Sequence, residues 1–235
     1  PDHPEFKTWE KRSQAVLQEN IPEDIKFRAI AAWTWQRLFL GNLAEAGYFI
    51  EMYREKVQSP DVPLFELFAL KNMEAFYHFL NSNFEECSKM VSGALDLAAE
   101  TGIHFTSLIV MGHGAAGALS AGDLDSADKL LGSMARYAHS SDWIFIYFRI
   151  LKLWKALLKK DFSKALFEGE SARAYVAASG MPMTDAIWYQ GMAVALHASG
   201  SQDEASGYLE KALLISKRVG FHQIAFGCYL TKARF

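Results

Sequence analysis

Five short segments of this chain are versions of one pattern at nearly constant spacing. They are 41–46 (GNLAEA), 82–87 (SNFEEC), 122–127 (GDLDSA), 160–165 (KDFSKA) and 200–205 (GSQDEA), and their first residues lie 41, 40, 38 and 40 apart. A repeat of this length marks a chain built from stacked copies of one small unit. Each segment opens with a turn residue, followed in all five copies by Asn, Asp or Ser. Glycine in the first place can take the left-handed backbone that ends a helix. The next side chain can accept from the free N–H groups of a new helix. Glu45, Glu85, Glu86, Asp125 and Glu204 then suit the positive end of that helix's dipole. Each segment therefore reads as a helix stop followed at once by a helix start, a tight antiparallel hairpin.

A second punctuation mark follows at a fixed offset. Twenty residues after Ser82, Lys160 and Gly200 lie Gly102, Gly180 and Gly220; after Gly41 and Gly122 the same offset falls on Asp61 and Asp142. These positions are expected to end the second helix of each pair, dividing the period into two helices of roughly 16–18 residues. No stretch reads as a strand. Pro4–Glu19 reads as the second helix of an earlier pair and Phe221–Phe235 as the first helix of a later one, giving twelve helices.

Three columns of packing positions recur with the turns. Seven before each turn residue stand Thr34, Ala75, Ala115, Leu153 and Ala193. Five after stand Ala46, Cys87, Ala127, Ala165 and Ala205, and twelve after stand Tyr53, Ala94, Met134, Ala172 and Ala212. Small residues at matched places let two helices approach closely. One pair cannot bury its apolar face alone, so neighbouring pairs must stack.

Small residues around a Gly-Asp or Gly-Asn turn resemble the tetratricopeptide repeat, although the 40-residue period is longer than that family's 34 residues. Lines such as Ala94–Gly102 and Gly122–Ala127 look like the repeat region of MalT-like regulators, bacterial ATP-dependent transcription activators with a LuxR-type DNA-binding end. The resemblance covers essentially the whole chain. It implies an all-α, right-handed α-solenoid of about five to six antiparallel helix pairs, a tetratricopeptide-like superhelix. The chain, starting at Pro1 and running out mid-repeat at both ends, is expected to be one helical-repeat domain, residues 1–235, of a longer protein. Exposed apolar end faces of such a stack invite self-association.

Composition removes several function classes. With 51% hydrophobic residues and a net charge of −3, the chain is not disordered. It lacks the basic balance of a nucleic-acid-binding surface. Its densest cationic cluster, Lys152, Lys155, Lys159, Lys160 and Lys164, reads as a solvated face. Two cysteines, Cys87 and Cys228, make no disulfide framework. No signal peptide and no apolar run long enough to span a membrane is seen, so a cytoplasmic location is expected.

Chemistry-bearing motifs are few. Gly112-His113-Gly114-Ala115-Ala116-Gly117 matches the dinucleotide fingerprint by letter, but that fingerprint works between a strand and a helix. Here it falls inside the first helix of the third pair and reads as close helix contact. The seven histidines form no metal-binding spacing. No nucleophile motif is present. The expectation is no enzyme activity, no cofactor and no metal.

In tetratricopeptide-like stacks the first helix of each pair lines the concave surface. That resemblance puts Arg28 and Tyr147 (thirteen before the turn), Asn72 and Gln190 (ten before), Trp35, Phe76 and Trp154 (six before) and His197 (three before) in a groove. For any one of the aromatics, core between repeats is the stronger reading, since such large rings must mostly be buried. Aromatic walls with sparse polar groups suit a protein or peptide partner, or a small-molecule effector. Three functions fit: the regulatory repeat domain of a bacterial transcription regulator, a general protein–protein scaffold, or part of an enzyme whose catalysis lies elsewhere.

Overall fold

In the computed structural model the described residues are 22–59, 62–137 and 141–235, with Glu5, Thr8, Lys11, Arg12 and Ala15 singly before them. They form eleven helices and no strand. Five antiparallel pairs run in order: α1 (Glu23–Leu40) with α2 (Leu43–Val57), α3 (Leu64–Leu80) with α4 (Phe84–Thr101), α5 (Ser107–Ala121) with α6 (Leu124–Ala135), α7 (Asp142–Leu158) with α8 (Phe162–Ser179), and α9 (Pro182–Ala198) with α10 (Gln202–Val219). The single helix α11 (His222–Lys232) follows. The odd-numbered helices pack on one another along the stack, and each even-numbered helix packs on its partner and on the helix that follows. The chain is thus a two-layer α-solenoid with an inner row of first helices. The helix expected over Pro4–Glu19 and the turn expected at Asp61 lie outside the continuously described residues.

The hairpin turns are built as the repeat demands. All five turn residues are left-handed: Gly41, Gly122 and Gly200 at φ 72°, 78° and 88°, and Ser82 and Lys160 at 58°. Gly102, Gly180 and Gly220 likewise close α4, α8 and α10 with φ of 62° to 81°. Asn42, Asn83, Asp123 and Asp161 each accept from the backbone N–H three residues on. Such a cap is worth about 1 kcal/mol. Ser201 makes no such bond. It shares the turn backbone of the Asn and Asp caps, with ψ 65°, but its oxygen sits one atom nearer the main chain and falls short. Ser141, in extended backbone, does cap α7. Asp142 is the first residue of α7 and not the end of a helix, because α6 stops early at Ala135.

All three packing columns are core. None of their fifteen residues is more than 3% exposed. Polar ties join the helices as well. Glu168 on α8, 2% exposed, accepts from Arg149 and lies 2.5 Å from Lys152 Nζ on α7. Glu74 on α3 holds Arg54 on α2 at 2.6 Å, so it pairs across helices and not with Lys71 or His78 on its own helix. Lys155 on α7 and Lys159 at its C-cap both face Asp128 on α6. The cationic cluster is therefore partly a set of inter-helix ties and not simply a solvated face. Cys87 and Cys228 are both free and buried. Among the described residues no helix is long and apolar enough to cross a membrane. The outer face of α11 exposes Phe226, Tyr229 and Leu230.

The stack curves enough to bring its ends together. A Cβ on Gly41, in the first turn, would meet Gln223 of α11 at 2.5 Å, and one on Gly220 would meet Leu40 at 3.7 Å. Met183 of α9 packs against the cluster of Leu38, Ala46 and Phe76. The inner row of helices therefore wraps almost fully round a central space.

Candidate functional site

That central space is a cavity of about 940 Å³. Its wall follows the repeat register. From the column six before each turn come Trp35, Phe76, Ala116 and Trp154; from ten before come Asn72, Ile150 and Gln190; from thirteen before come Ala69, Ile109, Tyr147 and Ile187. The wall closes where Phe221, Gln223 and Ile224 of the last repeat meet Leu38 and Phe39 of the first. The volume is at the upper end of the roughly 300–1,000 Å³ typical of small-molecule sites.

Six of the eight residues expected in the groove line this cavity: Trp35, Asn72, Phe76, Tyr147, Trp154 and Gln190. Arg28 does not. Its side chain is 82% exposed beside Asp24, because α1 reaches the cavity only with its C-terminal half. His197 also stands outside; its ring stacks on Phe235 at 3.9 Å near the end of α9. Phe76 is both wall and core, 4% exposed within a buried cluster, so groove and core are not exclusive for it.

Rings run along the wall in a chain. Phe39 contacts Trp35 at 5.8 Å, Trp35 contacts Phe76 at 5.8 Å, and Phe76 stacks on His113 at 4.6 Å. His113 then meets Tyr147 at 5.9 Å, and Tyr147 meets Trp143 at 5.5 Å. Six rings from four consecutive first helices thus form one continuous aromatic band, with offset and tilted geometries that ring quadrupoles favour.

Gly112 of the fingerprint-like stretch leaves room for the Tyr147 ring of this band, while Gly114 and Gly117 give close contact to other side chains. A Cβ on Gly112 would lie 2.2 Å from the Tyr147 ring, and one on Gly117 would crowd Cys87 at 3.2 Å. They are close-contact glycines within α5, with no strand before them.

Electrostatically the wall is neutral. Among the described residues no Asp, Glu, Lys or Arg lines it. Its one histidine, His113, is 5% exposed, and burial depresses its pKa to about 3, so the imidazole is uncharged at neutral pH. The His113 Nδ1 lies 3.0 Å from the Tyr147 hydroxyl, whereas Nε2 has no hydrogen-bond partner among the described residues. Asn72, 7% exposed, has an Oδ1 equally without a partner. Among the described residues no cluster of His, Cys, Asp or Glu side chains is arranged to hold a metal ion.

Several wall residues were not expected from the sequence. Phe65, Phe105, Trp143 and Met183 all lie seventeen before a turn residue, at the entry of their helices. That column was readable: only Asp24, in the first copy, breaks its large apolar run. His113, nine before a turn, had no such signal, since its column is otherwise Ala32, Met73, Leu151 and Gly191.

No protein-family model matches the chain, and no curated protein matches it. Among solved structures it is similar to NprR, determined in complex with its cognate peptide NprX. The alignment covers 100% of this chain and 80% of that one, with a TM-score of 0.54 and 11% identity. The likeness is one of fold.

Proposed function

We propose that this chain is a non-catalytic binding module that takes its ligand into the central cavity, and that it serves as the regulatory repeat domain of a bacterial transcription regulator. The observation that carries the binding role is the cavity itself: an aromatic-walled space assembled from every inner helix, with buried polar atoms lacking partners. Buried polar groups are nearly always hydrogen-bonded, and Asn72 and His113 line the cavity, where a bound molecule or water can complete them. The likeness to NprR, determined with a peptide, supports a helical-repeat chain of this shape as a ligand holder. The regulator role rests on the MalT-like motifs in the sequence.

A thermal-shift screen against mixed peptides and small metabolites tests the reading, because a ligand bound only by the native state raises the melting midpoint. A hit should disappear in Trp154→Ala, which removes cavity wall. Hits that survive both Trp154→Ala and Trp35→Ala place binding elsewhere. A blank across all classes favours a scaffold that works through its outer surface.

A further inference from the structure

We infer that the cavity's occupant is an uncharged, ring-bearing apolar small molecule with an N–H or O–H group that donates to Asn72; this rests on the reading of the cavity as the binding site. The absence of charge is the first argument. An ionised group moved from water into this wall would find no counter-charge among the described residues, since no Asp, Glu, Lys or Arg of theirs lines it and His113 is neutral. Burial of an unpaired ion is among the most unfavourable events in a protein interior.

The second argument separates a small molecule from an extended peptide or a sugar. Every peptide residue other than proline brings one N–H and one C=O that need partners once water is excluded. Sugars bring a hydroxyl on most carbons. The wall offers few groups to meet them. Thr106, His113 and Thr184 are all more than nine-tenths buried, and His113 Nδ1 is already engaged with Tyr147, which leaves Asn72, Ser120 and Gln223 beside Gln190. Gln190 already lies within 3.4 Å of Thr231. A ligand with one or two polar groups can be satisfied here; one with ten cannot.

The third argument is shape and surface. The ring band from Phe39 to Trp143 offers faces and edges at stacking distances. Flat rings bind such walls with area burial plus quadrupole complementarity. Asn72 lies one turn before Phe76 on α3, so its carboxamide stands beside this band. Its Oδ1 is buried without a hydrogen-bond partner among the described residues, so a turn of the side chain toward the cavity would let it accept the ligand's N–H or O–H.

A matched pair of fluorescent probes tests this directly. N-phenyl-1-naphthylamine has two ring systems, one N–H and no charge; its 8-sulfonate is the same skeleton with an anion. The neutral probe should bind one per chain with a fluorescence rise, and the sulfonate should bind at least about tenfold more weakly. Asn72→Leu, which keeps the volume and removes the acceptor, should weaken the neutral probe about fivefold. Ala69→Trp and, independently, Ile109→Trp fill the cavity and should abolish binding while leaving the helical circular dichroism intact. Equal or tighter binding of the sulfonate overturns the inference, as does neutral-probe binding that survives both filling variants. If both probes are excluded and an added peptide raises the melting midpoint of the parent chain but not of Ala69→Trp, the inference falls and the binding-module reading stands. If no probe or peptide responds to cavity filling, both fall.

Discussion

Lys160 and Ser82 are the two non-glycine residues with positive φ among the described residues, both at 58°, and both are exposed. An L-residue in left-handed backbone costs roughly 1–2 kcal/mol, because its Cβ crowds the following carbonyl. Glycine escapes that cost but loses about 0.5–1 kcal/mol more conformational freedom on folding. The difference leaves Lys160→Gly more stable by about 0.5–1 kcal/mol. Exposure matters to the sum, because an exposed side chain takes little packing with it when removed. The reciprocal change isolates the cause: at Gly122, φ 78°, a Cβ would meet nothing within 4 Å, so Gly122→Lys should lose a similar amount through backbone alone. The two stabilised turns share no partner, so Ser82→Gly with Lys160→Gly should be additive. Urea unfolding followed by circular dichroism reads all of this. With a slope of roughly 1–3 kcal/mol per M, each glycine variant should move the midpoint up by a few tenths molar without changing the slope. A midpoint that falls in both glycine variants would refute the reasoning, since it would mean that these side chains contribute more than their backbone costs.

Three further outcomes follow from the site and the core. His113 has its pKa depressed to about 3 by burial, below an unfolded value near 6.5. The unfolded chain therefore binds the extra proton first, and stability should fall as pH drops below about 6.5, by up to about 1.4 kcal/mol per pH unit for this residue. His113→Gln should flatten that part of a pH–stability profile; an unchanged slope assigns it to other groups. Gly112→Ala should destabilise by about 1 kcal/mol or more, as the new methyl displaces the Tyr147 ring, whereas Gly132→Ala, on exposed helix with nothing within 4 Å, should stabilise by about 0.5–1 kcal/mol. Equal effects of the two in thermal melts would contradict the contact. Glu168→Ala strands Arg149 and Lys152 and should cost about 3 kcal/mol, partly relieved by the water that reaches both cations; a melting midpoint within a degree or so of the parent chain's argues against a structural role for this triad.

Much of this architecture was legible because the repeat supplies five readings of each position. Lys160 and Ser82 alone would never suggest left-handed backbone, but the register aligned them with Gly41, Gly122 and Gly200. The same averaging identified the fifteen core positions and the helix faces that became the cavity wall. Where one copy departs from the others, the reading failed. Asp142 starts a helix because α6 is only twelve residues long, and Arg28 leaves the wall because α1 meets the cavity only near its end. The meeting of Leu40 with Gly220 could not be read at all. It depends on small rotations summed over five pairs, each set by side-chain volumes at the interfaces and none carried by a motif.

That seam makes grip and curvature a single mechanical variable. Phe221, Gln223 and Ile224 share a wall with Trp35, Leu38 and Phe39, so any straightening of the stack parts the cavity along one line. A ligand bridging the line holds the clip shut, and by reciprocity anything that stiffens the curve tightens the ligand. If the cavity binds as proposed, substitutions on the outer helices α2, α4, α6, α8 and α10 would be levers on the ligand's residence time. A neighbouring domain that pulls on either end of the solenoid would read occupancy as resistance to being opened.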